Sequence, residues 1–176
     1  MELTGRLLLS NATLFDPNFR RTVVLIGHHD DEGAVGVVLN RPLGVLVDEA
    51  VPPLSDLVGS YDELFEGGPV QPDAAVVIAE FSDPTRAGLM AFGAIGFLPD
   101  EMDEADRDAI VRARIFAGYS GWGPGQLEAE MARGSWLHAS ADPQLVFDTP
   151  AHDMWDRAMR SLGIAPESLF VGRGVN

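Results

Sequence analysis

One stretch constrains this chain more than any other: residues 117–134, Ala-Gly-Tyr-Ser-Gly-Trp-Gly-Pro-Gly-Gln-Leu-Glu-Ala-Glu-Met-Ala-Arg-Gly. The residues leading into it, Arg114 to Tyr119, are apolar after the arginine, with β-branched and aromatic members. They predict a buried strand. Gly118, Gly121, Gly123 and Gly125 then crowd around Trp122, which requires unusual backbone angles or a close backbone approach. Pro124 suits the first position of a helix, where its missing N–H removes no bond. Gln126 to Arg133 are mostly good helix formers, and Gly134 is a natural stop. The stretch therefore predicts strand, glycine turn and short helix.

Such a corner admits two readings. Free amides and the positive end of a helix could hold a small anion near Ser120, Gly123 and Gly125. Alternatively, the corner is structural, with Trp122 as its apolar plug. Tight turns select glycine on steric grounds alone, which favours the second reading. A phosphate-binding Gly-x-x-x-x-Gly-Lys-Ser/Thr loop is absent, and the stretch contains no lysine.

The segments before the corner read mainly as strands. Gly5–Ser10, Thr22–Gly27, Ala34–Leu39, Ala74–Phe81 and Leu89–Phe97 are apolar runs separated by polar or glycine-containing turns. Leu64 to Val70 reads as a short strand entering a turn. His28 to Gly33 reads as a hairpin loop, so its flanking strands are expected to pair antiparallel. Pro99 to Ala113 is acidic and helix-permissive, with acids early and arginines late. Beyond the corner, Trp136–Ala139 and Gln144–Phe147 read as strands. Thr149-Pro150 opens a last helix, in which Met154, Trp155, Ala158, Met159 and Leu162 follow helical spacing. Strands first and helices late predict an α+β fold. The expectation is a single compact domain over residues 1–176, with a largely antiparallel β-sheet core and a few helices concentrated in the C-terminal half.

Charge narrows the function. With 27 acidic and 12 basic residues, the chain carries −15 at neutral pH. DNA and RNA recognition leans on lysine and arginine contacts to phosphate, so direct nucleic-acid binding is disfavoured. No apolar run is long enough to cross a membrane as a helix, and Met1 to Arg6 lacks the layout of a signal peptide. Cysteine is absent, which removes disulfides and thiol chemistry. A cytoplasmic protein is expected.

Several segments, in order, resemble the YqgE/AlgH family of bacterial proteins. They include Gly5-Arg6-Leu7-Leu8-Leu9-Ser10, Asp16-Pro17-Asn18-Phe19, Gly33-Ala34-Val35-Gly36-Val37-Val38-Leu39-Asn40-Arg41-Pro42, Gly67-Gly68-Pro69-Val70 and Gly118-Tyr119-Ser120-Gly121-Trp122-Gly123-Pro124-Gly125-Gln126-Leu127-Glu128. The resemblance covers nearly the whole chain and implies a compact α+β fold. It implies no settled activity; one branch of the family is named for regulation of alginate synthesis. Many relatives place an arginine soon after the Gly-Gly-Pro-Val motif and end the next strand in Leu-His. Here the chain reads Gln71-Pro72-Asp73 and later Ile78-Ala79-Glu80, so that arginine and histidine are not present at these places.

Candidate chemistry is sparse. Adjacent His28 and His29 on a strand end point to opposite faces and chelate poorly together; no metal or cofactor is expected. Ser120 with a histidine and an aspartate could form a hydrolase or phosphoryl-handling site, yet Gly118-Tyr119-Ser120-Gly121 is not Gly-x-Ser-x-Gly. Asn40-Arg41, at a strand end before Pro42, offers a fork for carboxylate or phosphate, or a clamp on a neighbouring loop. Ser10, Asp16, Asn40, Arg41, Ser120 and Gln126 are the candidate ligand-binding residues. The corresponding expectation is that Asn40-Arg41 and the Ser120–Gln126 turn meet in one cleft. The function expected is a non-catalytic module that binds a small anionic ligand or a protein partner, with an indirect regulatory role; the enzyme centred on Ser120 is the alternative.

Overall fold

Leucines and valines on both faces of the first strands explain why these strands are packed on both sides, each face in its own core. In β1 (Arg6–Ser10), Leu7 and Leu9 enter one core while Leu8 enters another. In β2 (Val23–Asp30), Val23 and Leu25 join the first core, and Val24 and Ile26 the second. Alternate residues face opposite sides of a strand, so an unbroken apolar run is what a strand covered on both faces requires. The computed structural model describes residues 2–11 and 20–165.

The strands continue with β3 (Gly33–Val38), β4 (Pro42–Leu46), β5 (Glu63–Glu66), β6 (Val70–Phe81), β7 (Leu89–Phe92), β8 (Ile95–Phe97), β9 (Ile110–Trp122) and β10 (Trp136–Ser140). Their order across the sheet is β10-β1-β2-β3-β9-β6-β8-β7, with β4 beside β5 and β5 beside β9. All pairs are antiparallel except β5 with β9. The sheet curls until β7 returns to β2. There, a side chain on Gly5 would collide with the Ala91 carbonyl, and one on Gly27 with the ring of Phe97.

Helices are short and peripheral. α1 (Val47–Ala50) and a 3-10 segment (Pro52–Leu57) follow β4; α2 (Glu104–Asp108), α3 (Gln126–Ala132), α4 (Pro143–Phe147) and α5 (Ala151–Ser161) lie in the second half. Met154, Trp155, Ala158 and Met159 of α5 are buried in the central core with Leu145, Val146 and Phe147 of α4. The expected α+β fold with a largely antiparallel sheet is what forms.

Some local expectations differ. The acidic stretch after Pro99 makes only the five-residue α2, closed by a capping box between Asp103 and Asp106. Ile110 to Ala113 extend the long strand β9, because pairing with β6 outweighs helix propensity. Gln144–Phe147 is helical, since Asp142 caps the Leu145 amide and Pro143 occupies the first turn. Leu89–Phe97 is a hairpin, turned at Gly93 with φ +54°. His28 to Asp30 extend β2.

Candidate functional site

The glycine corner folds as a self-contained device. Gly125 takes φ +73° immediately before α3. The Gln126 side-chain carbonyl accepts the Gly123 amide at 3.0 Å, and its amide group donates to Glu130 Oε2 at 2.9 Å. Glu130 Oε1 accepts both the Trp122 and Trp136 indole N–H groups, at 3.0 and 2.9 Å. The two rings meet edge to face, with centroids 6.1 Å apart. An amide that an anion would use is thus met by Gln126, and the half-buried Glu130 carboxylate ties helix to strand.

Ser120 is buried, and its hydroxyl donates to the Gly67 carbonyl at 3.2 Å. A Cβ on Gly68 would lie 2.4 Å from that oxygen, so the Gly67-Gly68 backbone covers it. No histidine among the described residues pairs with Ser120. His29 is buried; its Nδ1 accepts the Leu3 amide at 3.0 Å, so Nε2 carries the proton that meets Glu128 at 2.8 Å. That contact holds the Glu128 carboxyl below its ordinary range. His138 accepts from Arg6 Nε at 2.9 Å, and burial with the nearby Arg6 charge lowers its pKa.

Three other candidate residues converge on one turn. Ser10 Oγ accepts the Thr22 amide at 2.7 Å; Asn40 accepts from the Val23 amide and donates to the Arg21 carbonyl; Arg41 donates to Thr22 Oγ1 at 2.9 Å. Asp16 lies outside the described residues. The expected meeting of Arg41 with the corner does not occur. β3 and β9 run antiparallel with Gly36 opposite Ser120 and Ala34 opposite Trp122, so Asn40-Arg41 and Gly125 leave the sheet in opposite directions.

Asn40 instead stands on the wall of a cavity of about 630 Å³ that no single motif announces. Arg112 and Arg114 alternate along β9 and share the face that further on carries Phe116 into the central core. The α4–α5 corner, with Phe147, Asp148 and His152, closes one side; Tyr61, Asp62, Glu63 and Phe65 close the other. Arg112 is committed to protein: it reaches both oxygens of Asp148 at 3.0 and 3.1 Å and Glu80 at 3.5 Å, over the Phe147 ring. Its Nε is buried with no partner among the described residues.

Arg114 differs. It is half-buried, donates to the Phe147 carbonyl at 2.8 Å and lies over the Phe65 ring, 5.1 Å from its centroid. Among the described residues no carboxylate reaches it within ion-pairing distance. Burial pushes its pKa down, opposed by the more distant charges of Asp62 and Asp148. Arginine stays charged regardless, so the cavity holds a partly desolvated, rigidly placed cation. Sequence reading passed it over because Arg112 fell in the acidic helix-permissive stretch and Arg114 at the start of the following strand; only the strand pairing puts them on one wall.

The sequence profile of the AlgH-like family matches residues 7–167. This chain belongs to the AlgH-like family. It is 42% identical over 165 residues to the UPF0301 protein SCO2948 of Streptomyces coelicolor, covering 90% of this chain and 86% of that one. It is 38% identical over 174 residues to the UPF0301 protein CT0663 of Chlorobaculum tepidum, covering 90% and 86%. Two solved structures share the fold. The crystal structure of DIP2367 from Corynebacterium diphtheriae superposes with TM-score 0.81 at 27% identity, covering 90% of this chain and 86% of that one. The solution structure of AlgH from Pseudomonas aeruginosa gives 0.72 at 30%, covering 97% and 94%. Among the described residues of this AlgH-like chain, no helix is long and apolar enough to cross a membrane.

Proposed function

We propose that this AlgH-like protein is a cytoplasmic, non-catalytic binding module for a small ligand that carries a carboxylate, seated against Arg114. The observation that carries the reading is Arg114 itself: half-buried, fixed by the Phe147 carbonyl and the Phe65 ring, and without a carboxylate partner among the described residues. A buried charge is costly unless compensated, and a planar guanidinium fork matches a carboxylate. The cavity volume is within the range of small-molecule sites. Asn40 contributes to the wall and, through Val23 and Arg21, fixes the edge of the opening. Any regulatory role runs through the ligand or a protein partner, since a chain of net charge −15 is repelled by nucleic acid. No observation favours the enzyme alternative at Ser120.

A thermal-shift screen of small carboxylates tests the reading, because binding raises Tm by mass action. A carboxylate that stabilises the protein, and does not stabilise Arg114→Gln, supports it. A screen in which no carboxylate acts, or in which the shift survives Arg114→Gln, refutes it.

A further inference from the structure

We infer that the ligand is a zwitterion of the amino-acid class, an amino acid or short peptide whose ammonium group meets Asp62 and Glu63. This rests on the reading of Arg114 above and adds the second pole. Asp62 and Glu63 lie on the cavity wall with Arg114. Glu63, the exposed first residue of β5, has no cationic partner among the described residues. Asp62 accepts the Gly59 amide with Oδ2 at 2.7 Å, which leaves Oδ1 without a protein donor among those residues. The remaining wall carboxylate, Asp148, is taken up by Arg112. Among the described residues, the charged lining groups without an ion-pair partner are therefore Arg114, Asp62 and Glu63.

Electrostatics separates the ligand classes. A simple anion would bring its charge to Arg114 past Asp62 and Glu63, into a protein of net charge −15. A zwitterion has no net charge to be repelled and pairs with both poles. The rings of Phe65 and Phe147, with Val58 and Tyr61, supply apolar surface for a side chain between the charged ends. Tyr61 is 87% exposed, an unusual position for an aromatic ring, and stands at the rim.

Titration calorimetry with the dipeptide Leu-Phe, its N-acetyl form and its C-terminal amide tests the inference on the wild-type protein, Arg114→Gln and Asp62→Asn/Glu63→Gln. Asparagine retains an acceptor for the Gly59 amide, so the double variant keeps its turn. Leu-Phe is expected to bind, and blocking either end to weaken binding by about tenfold or more, the worth of one charge-assisted contact. In the double variant the free and acetylated peptides should bind equally, whereas Arg114→Gln should lose discrimination between acid and amide. If the acetylated peptide binds wild type as tightly as Leu-Phe, the ammonium pole is refuted; Arg114→Gln then shows independently whether the carboxylate reading survives. If Leu-Phe does not bind, the zwitterion is refuted even where another carboxylate stabilises the protein.

Discussion

Trp122 and Trp136 are joined through a single oxygen: both indole N–H groups donate to Glu130 Oε1, at 3.0 and 2.9 Å, while the rings stand edge to face. One ring closes β9 and the other opens β10, so a residue of α3 fastens the turn between them. Both rings are buried. Removing the shared acceptor strands two indole donors, each costing roughly 1–3 kcal/mol. Glu130→Ala is therefore expected to lose about 2–6 kcal/mol in urea unfolding. Glu130→Gln retains an oxygen for the indoles and should lose about half as much.

Glycines of the same stretch should differ in cost although both take left-handed angles. Gly118 has φ +74°, and an added Cβ would lie 2.5 Å from the Gly68 carbonyl and 2.9 Å from that of Val70. Gly134 has φ +76° with open space around it. Gly134→Ala should cost the backbone term alone, about 1–2 kcal/mol. Gly118→Ala adds a backbone collision and should cost at least about 3 kcal/mol, or prevent soluble expression. Parallel denaturant melts of the two variants check the ordering.

Acid should weaken the fold in a defined direction. The His29 contact holds Glu128 below its ordinary value, His28 does so for Asp30, the Thr85 hydroxyl for Asp83 and the Asp103 amide for Asp106. A carboxyl whose folded pKa is depressed stabilises above its unfolded value and loses that contribution as pH falls through the folded value. The ordinary values are 4.5 for Glu128 and 3.8 for the aspartates. The urea midpoint should hold above that window and fall below it. His138 is also depressed, by burial and then by Arg6, so the unfolded chain takes its proton first. It adds an earlier decline below its ordinary 6.5, and His138→Gln should remove that upper part of the profile.

Asn40 should behave as a clamp whatever the cavity binds. Its amide spans Val23 and Arg21, bonds at 3.0 and 2.9 Å. Asn40→Ala should lower stability by about 1–3 kcal/mol, measured by thermal or urea unfolding in buffer without ligand. A variant as stable as wild type would contradict that role.

Much of this architecture was legible in the chain. Gly5–Ser10 and Thr22–Gly27 read as strands from their apolar runs, and the helical spacing of Met154, Trp155 and Ala158 forecast α5. The corner from Gly118 to Glu130 was legible as strand, turn and helix. Its partner was not, because nothing local links Trp136 to Glu130. The expected meeting of Arg41 with Gly125 failed on strand direction: periodicity says which residues share a face, not which way a distant strand runs. Arg112 and Arg114 were missed for the same reason. Arg112 read as the end of an acidic helix and Arg114 as the start of a separate strand, until pairing of β9 with β6 put both on one strand beside β5.

Whether Arg114 holds a carboxylate inside the cavity is decided by calorimetric titration of a carboxylate that stabilises the protein, with wild type and Arg114→Gln side by side. The substitution removes the bond to the Phe147 carbonyl, an expected stability loss of about 1 kcal/mol that leaves the protein folded at 25 °C. Affinity is expected to fall on the order of tenfold to a hundredfold, the worth of a charge-assisted fork. An equal Kd for the two proteins would contradict it.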